Sequence, residues 1–152
     1  MIKIICVGKI KEKYLTDGIN EYLKRIEGYQ KINIIEVKEF NTPDISKNMI
    51  NEGVLIKEKI TKDDYIITLE INGKKIDSVQ LARKIEEVQT YNSSNISFII
   101  GGSNGLSDDI KKLSNFALSF SDMTFPHQLM RLILTEQIYR AFTIINNKEY
   151  HK

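Results

Sequence analysis

The sequence predicts an α/β fold: a mainly parallel sheet with flanking helices, built as one domain over residues 1–152. Two observations carry this. Short apolar runs alternate along the chain with longer stretches of helical periodicity, the order that builds parallel sheets covered by helices. A glycine loop, Phe98-Ile99-Ile100-Gly101-Gly102-Ser103-Asn104-Gly105-Leu106, directly follows one apolar run. Three of the eight glycines fall within these five positions, and strand–glycine loop–helix is an arrangement that bares backbone N–H groups to a ligand.

Each element has its own justification. Ile2 to Val7 is a short, mainly apolar run ending at Gly8, which reads as a buried strand. Glu12 to Tyr29 places Tyr14, Ile19, Tyr22, Leu23 and Ile26 on a broad helical face. Ile32 to Val37 is a second strand, and Asn41-Thr42-Pro43-Asp44 punctuates before a helix from Ile45 to Ile60. Tyr65 to Leu69 is a third strand, followed by a loop from Glu70 to Lys74. Asp77 and Gln80 have capping-box spacing and open a helix that runs to about Tyr91. Ile96 to Ile100 is the fourth strand, Ser107 caps a short helix, and Phe116 to Phe120 is the fifth strand. Pro126 marks the first turn of a last helix that runs to about Ile145.

In such a sheet a ligand crevice lies at the carboxyl ends of the strands. Three distinctive loops are expected there: Glu70–Lys74, Gly101–Gly105 and Ser121–His127. The first loop, Gly8-Lys9-Ile10-Lys11, lacks dinucleotide-fingerprint spacing, which moves the expected site to the C-terminal half. The last helix is apolar around most of its circumference. Met130, Ile133, Leu134, Ile138, Ala141, Ile144 and Ile145 share one arc, and Leu132, Tyr139 and Phe142 widen it. That leaves a narrow polar strip of Thr135, Glu136, Arg140 and Thr143. A helix of this kind must be covered on more than one side, by burial within the subunit or, the favoured reading for a terminal helix, by a homodimer interface.

Composition bounds the function. Lys+Arg 22 against Asp+Glu 20 gives a net charge of +2, which argues against a histone-like electrostatic binder but leaves room for a local basic patch. Lys9, Lys11 and Lys13 are candidates for one, with a solvated surface as the competing reading. Cys6, the only cysteine, lies in an apolar run and reads as a buried inert thiol. Two distant histidines give no zinc spacing, and no P-loop is present. No apolar stretch reaches membrane-span length, so a cytoplasmic protein is expected.

Three segments together resemble a known family. They are Ile100-Gly-Gly-Ser-Asn-Gly-Leu106, the run Ser121 to Ala141 containing Thr124-Phe125-Pro126-His127 and Leu132-Ile-Leu-Thr-Glu-Gln-Ile-Tyr-Arg-Ala141, and the terminus Asn146-Asn-Lys-Glu-Tyr-His-Lys152. The chain resembles the ribosomal RNA large-subunit methyltransferase H family, SPOUT-class enzymes that methylate N3 of a pseudouridine in 23S ribosomal RNA. The resemblance runs over essentially the whole chain. It implies a C-terminal trefoil knot, S-adenosyl-L-methionine as cofactor, a homodimer, and 23S ribosomal RNA in the assembled ribosome as substrate. Carried over residue by residue, it puts the cofactor pocket on Leu69, Gly102, Ser121, Asp122, Met123, Thr124, Phe125 and Pro126. It gives Asp122 no chemical role of its own. It also implies that the polar tail folds over the target nucleotide, with Tyr150 stacking on a base beside His151.

The chemistry asks for alignment of donor and acceptor and removal of the imide proton from N3. His127, beside the expected cofactor loop, is either the base or a residue that orients the last helix. Arg131, one turn into that helix, is a candidate phosphate clamp, whereas Arg140 follows Glu136 by four residues and reads as an intrahelical ion pair. Two other functions remain open at this level: a SPOUT enzyme for a different RNA, and a non-catalytic, flavodoxin-like nucleotide-binding or ribosome-associated factor.

Overall fold

The computed structural model describes all 152 residues. The chain runs β1 (Ile2–Val7), α1 (Lys13–Glu27), β2 (Ile32–Val37), α2 (Ile45–Lys59), β3 (Tyr65–Lys75), α3 (Ser78–Tyr91), β4 (Ile96–Ile100), α4 (Asp108–Leu113), β5 (Phe116–Ser119) and α5 (His127–Ile145). The five strands form one parallel sheet in the order β2-β1-β4-β3-β5.

Strand alternation sorts the core into two layers. Ile2, Ile4 and Cys6 of β1 face one side with Phe98, meeting α3 and α5 through Leu81, Ile85, Leu134 and Ile138. Ile5 and Val7 face the other side with Ile99, meeting Ile56 of α2 and Ile110 of α4. A strand covered on both faces favours apolar residues at every position, which is why β1 lacks alternation; its one charge, Lys3, is buried in an ion pair with Asp64. Caps set the helix starts as their sequences require. Asp77 and Gln80 form both bonds of the capping box, at 2.7 and 2.8 Å. Asp44 caps α2 through Lys47 N–H, and Ser107 caps α4 through Ile110 N–H.

Three expectations change. The segment Glu70–Lys74 is not a loop after a finished strand. Extended backbone continues to Lys75, and the register against β5 slips so that Leu69 and Lys74 both lie opposite Leu118. Residues 70–73 therefore bulge within β3. Gly73 permits this, because a Cβ there would lie 2.7 Å from the Ala117 carbonyl oxygen. Pro126 is the residue before α5 rather than in its first turn, and its carbonyl accepts from Met130 N–H at 2.9 Å.

The third change concerns α5. It lies on the sheet between α1 and α3, and none of its residues is exposed. Its expected polar strip is partly internal: Thr135 and Thr143 are buried, their hydroxyls donating to the carbonyls of Arg131 and Arg140 at 2.6 Å each. Gly18 of α1 gives α5 room, since a Cβ there would meet Leu132 at 3.1 Å. The subunit's own elements cover much of α5, while Met130, Leu132, Ile133, Ile144 and Ile145 stay half-buried.

Candidate active site

Parallel strands end on the same side, so the loops after β3, β4 and β5 converge. They enclose an open cleft with about 160 Å³ of water-accessible space. Its walls include Ile100, Leu106, Leu118 and Phe120, and its backbone side is Gly101, Gly102 and Gly105. Gly105 has φ +85°, a conformation that needs glycine, and its N–H donates to the Gly102 carbonyl at 3.0 Å to close the turn. Gly101 is packed so closely on that turn that a Cβ would lie 2.8 Å from the carbonyl carbon of Gly105.

Of the eight expected cofactor residues, six line the cleft: Leu69, Gly102, Ser121, Met123, Thr124 and Phe125. Met123 is 75% exposed and Ile71 projects from the β3 bulge, giving the cleft apolar lips. Ser121 shapes the loop: its hydroxyl accepts from Met123 N–H at 3.0 Å, and its carbonyl accepts from the Ser119 hydroxyl at 3.2 Å. Two of the eight do not line it. Asp122 turns outward to pair with Lys75 at 2.5 Å, its side chain 82% exposed, where such a pair adds little. Pro126 precedes α5 and sets its start. Gly102 needs its small size for a different reason from close approach of a ligand: its Cβ would point inward, 3.0 Å from Val7 and 3.4 Å from Glu52.

His127 lines the cleft at the first turn of α5, and its Nε2 is buried without a hydrogen-bond partner. A buried ring nitrogen without a partner is an unsatisfied polar group at the cleft wall. Arg131, one turn later, is not in the cleft. Its guanidinium is buried, with Nη1 donating to Glu36 Oε2 at 2.5 Å and Nη2 to the Gly8 carbonyl at 3.1 Å. A group so engaged has no free fork to offer a phosphate, which corrects the clamp reading.

Tyr150 and His151 fold back beside Tyr139 and Arg140 of α5, about 18–20 Å along the helix from His127 at the helical rise. Tyr150 packs edge-on to Tyr139 at 4.7 Å under the Arg140 guanidinium. Burial and its bond with Tyr22 push the Tyr150 phenol up to about 12. His151 Nδ1 meets Arg140 Nη1 at 3.1 Å, and Arg140 pairs with Glu136 as its spacing predicts. One subunit therefore does not bring its tail to its own cleft. Lys13 pairs with Asp17, and Lys9 borders a separate groove beside Arg131. Burial raises the Cys6 thiol to about 12, as expected of an inert core cysteine. No three His, Cys, Asp or Glu side chains are grouped to hold a metal, and no helix is long and apolar enough to cross a membrane.

Sequence reasoning missed Leu118, Phe120 and Met130 as cleft residues. They read as core positions, and only packing distinguishes a core wall from a cleft wall. Glu70, Ile71, Gly101 and Gly105 fall in loops that position at the strand ends does flag.

Comparison with known proteins agrees over the full chain. Residues 1–151 match the family described as "Predicted SPOUT methyltransferase". The ribosomal RNA large subunit methyltransferase H of Bacillus cytotoxicus is 50% identical and that of Enterococcus faecalis 47%, each match covering 99% of both chains. A Methanococcus maripaludis protein, 56% identical over 99% of both chains, bears the same name in provisional form. A solved structure described as a probable methylase family protein from Haemophilus influenzae superposes with a TM-score of 0.56 at 13% identity, covering 99% of this chain and 70% of that one. That likeness concerns the fold.

Proposed function

Because the chain belongs to the SPOUT methyltransferase family, at the level of the ribosomal RNA large subunit methyltransferase H proteins, we propose that it transfers a methyl group from S-adenosyl-L-methionine to N3 of a pseudouridine in 23S ribosomal RNA. The observation that carries this reading is the cleft at the ends of β3, β4 and β5, with His127 on its wall. Its features suit the cofactor. Leu69, Ile100, Leu118 and Phe120 give an adenine ring apolar walls, and the glycine turn and residues 121–125 give it backbone partners.

When bound, the cofactor supplies a methyl group on a sulfonium, a good leaving group. The protein's own residues then orient the acceptor and hold the N3 proton. In this reading His127, on the cleft wall, accepts that proton or positions the imide. The tail completes the site in trans. Since Tyr150 and His151 sit beside Tyr139 and Arg140, away from their own cleft, a homodimer in which one subunit's tail covers its partner's cleft lets Tyr150 stack on the target base. The C-terminal trefoil knot, a cytoplasmic location and action on the assembled ribosome belong to the same reading.

The test is transfer of labelled methyl from S-adenosyl-L-methionine to ribosomes lacking the modification, followed by mass mapping of the 23S ribosomal RNA. One added methyl on a pseudouridine supports the proposal. Methylation of a different RNA, or bound flavin in place of S-adenosyl-L-methionine, overturns it.

A further inference from the structure

Arg131 is among the most deeply buried side chains in the protein, at 1% exposure; it lies outside the cleft, at the floor of the separate groove it shares with Lys9 and Glu36. Its two bonds join three parts of the chain. Nη1 reaches Glu36 at the end of β2, and Nη2 reaches the carbonyl of Gly8, just past β1, where φ is +86°. The backbone carrying Arg131 is the first part of α5, whose neighbouring residues His127 and Met130 form a cleft wall. Val7, adjacent to the clamped Gly8, packs under Gly102, at 3.0 Å from where its Cβ would be. One guanidinium thus ties the α5 wall of the cleft to the strand end that supports its glycine-loop wall.

We propose that Arg131 is a positioning residue for methyl transfer: with Glu36 and the Gly8 carbonyl it sets the separation between His127 and the Gly101–Gly105 loop. The proposal rests on the cleft being the methyl-donor site. The physical basis is the rigidity of two charge-assisted bonds from one planar group, which a lysine's single point charge cannot reproduce. A rotation of the α5 start, with no loss of fold, would then misplace His127, and displacements of about an ångström cost on the order of a hundredfold in rate.

The experiment compares wild type, Arg131→Lys, Glu36→Ala and Glu36→Gln for S-adenosyl-L-methionine affinity by calorimetry, turnover on unmodified ribosomes and thermal melting. Wild type must first bind and turn over, and its failure would count against the functional reading rather than this one. With wild type active, Arg131→Lys and Glu36→Ala are expected to lose roughly ten- to a hundredfold in turnover, assayed well below their melting temperatures. Glu36→Gln, which keeps an acceptor for Nη1, should recover most of it. Turnover and affinity unchanged in Arg131→Lys, or losses tracking the melting temperature alone with no rescue by Glu36→Gln, would overturn the proposal. Should Arg131→Lys not fold, the Glu36 pair decides it.

Discussion

Replacing Gly101 by alanine tests how the glycine loop works. The added Cβ would sit 2.8 Å from the carbonyl carbon of Gly105 and 2.9 Å from its oxygen. Both are backbone atoms closing a turn, so no side-chain rotation relieves the clash and the loop must open. Overpacking of this kind costs about 1–3 kcal/mol. At roughly 2–4 °C per kcal/mol for a chain of this size, a cost near 2 kcal/mol lowers the melting temperature by about 4–8 °C. Opening the turn also moves the cleft's backbone wall, so the stabilisation that S-adenosyl-L-methionine gives by mass action should shrink or vanish. Gly105→Ala is the internal control. Nothing lies within 4 Å of its Cβ, and the cost arises only from φ +85°, about 1–2 kcal/mol for an L-residue. Gly105→Asn should cost less, since asparagine tolerates that conformation. Differential scanning fluorimetry with and without the cofactor reads both quantities. A Gly101→Ala protein with unchanged melting and an unchanged cofactor shift would refute the steric reasoning and the assignment of the loop.

Further outcomes follow from other sites. His127→Ala should cut turnover by about 10²–10⁴, with a residual rate that climbs with pH if His127 takes the imide proton; a low rate with the parent's pH profile assigns it to positioning. Deleting residues 150–152 should leave cofactor affinity intact while methyl transfer collapses, and normal turnover would make the tail an ordinary frayed end. Light scattering should find a dimer at micromolar concentration; a monomer would remove the trans-acting tail. Burial alone would raise the Asp64 carboxyl, but bonds from Lys3, Thr61 and Ser97 outweigh it and hold it below 3.8. Its contribution is therefore complete above pH 3.8 and lost as pH falls through the folded value. Asp64→Asn, which strands the buried Lys3 ammonium 2.5 Å away, should cost about 3–5 kcal/mol near neutrality. It should also flatten the acid limb of the stability curve in pH-dependent melting.

The sequence by itself determined the element order, the parallel sheet and the side of the sheet that carries the site. Those features follow from local signals: short apolar runs such as Ile96–Ile100, the Asp77–Gln80 box, and glycines placed just past Ile100. It also placed His127 beside the loop Ser121–Pro126, because the two are adjacent in the chain. Only the tertiary structure decided what each side chain faces. Arg131 reads as a surface cation one turn into a helix, and its burial depends on Glu36 and Gly8, about a hundred residues away in sequence. Glu70 to Gly73 read as a loop, and become a bulge because β5 pairs on both sides of them. The helix α5 reads as apolar around most of its girth, and packing decided which part of it α1 and α3 cover. Periodicity gives the amount of surface to be covered, and long-range packing determines which surface covers it.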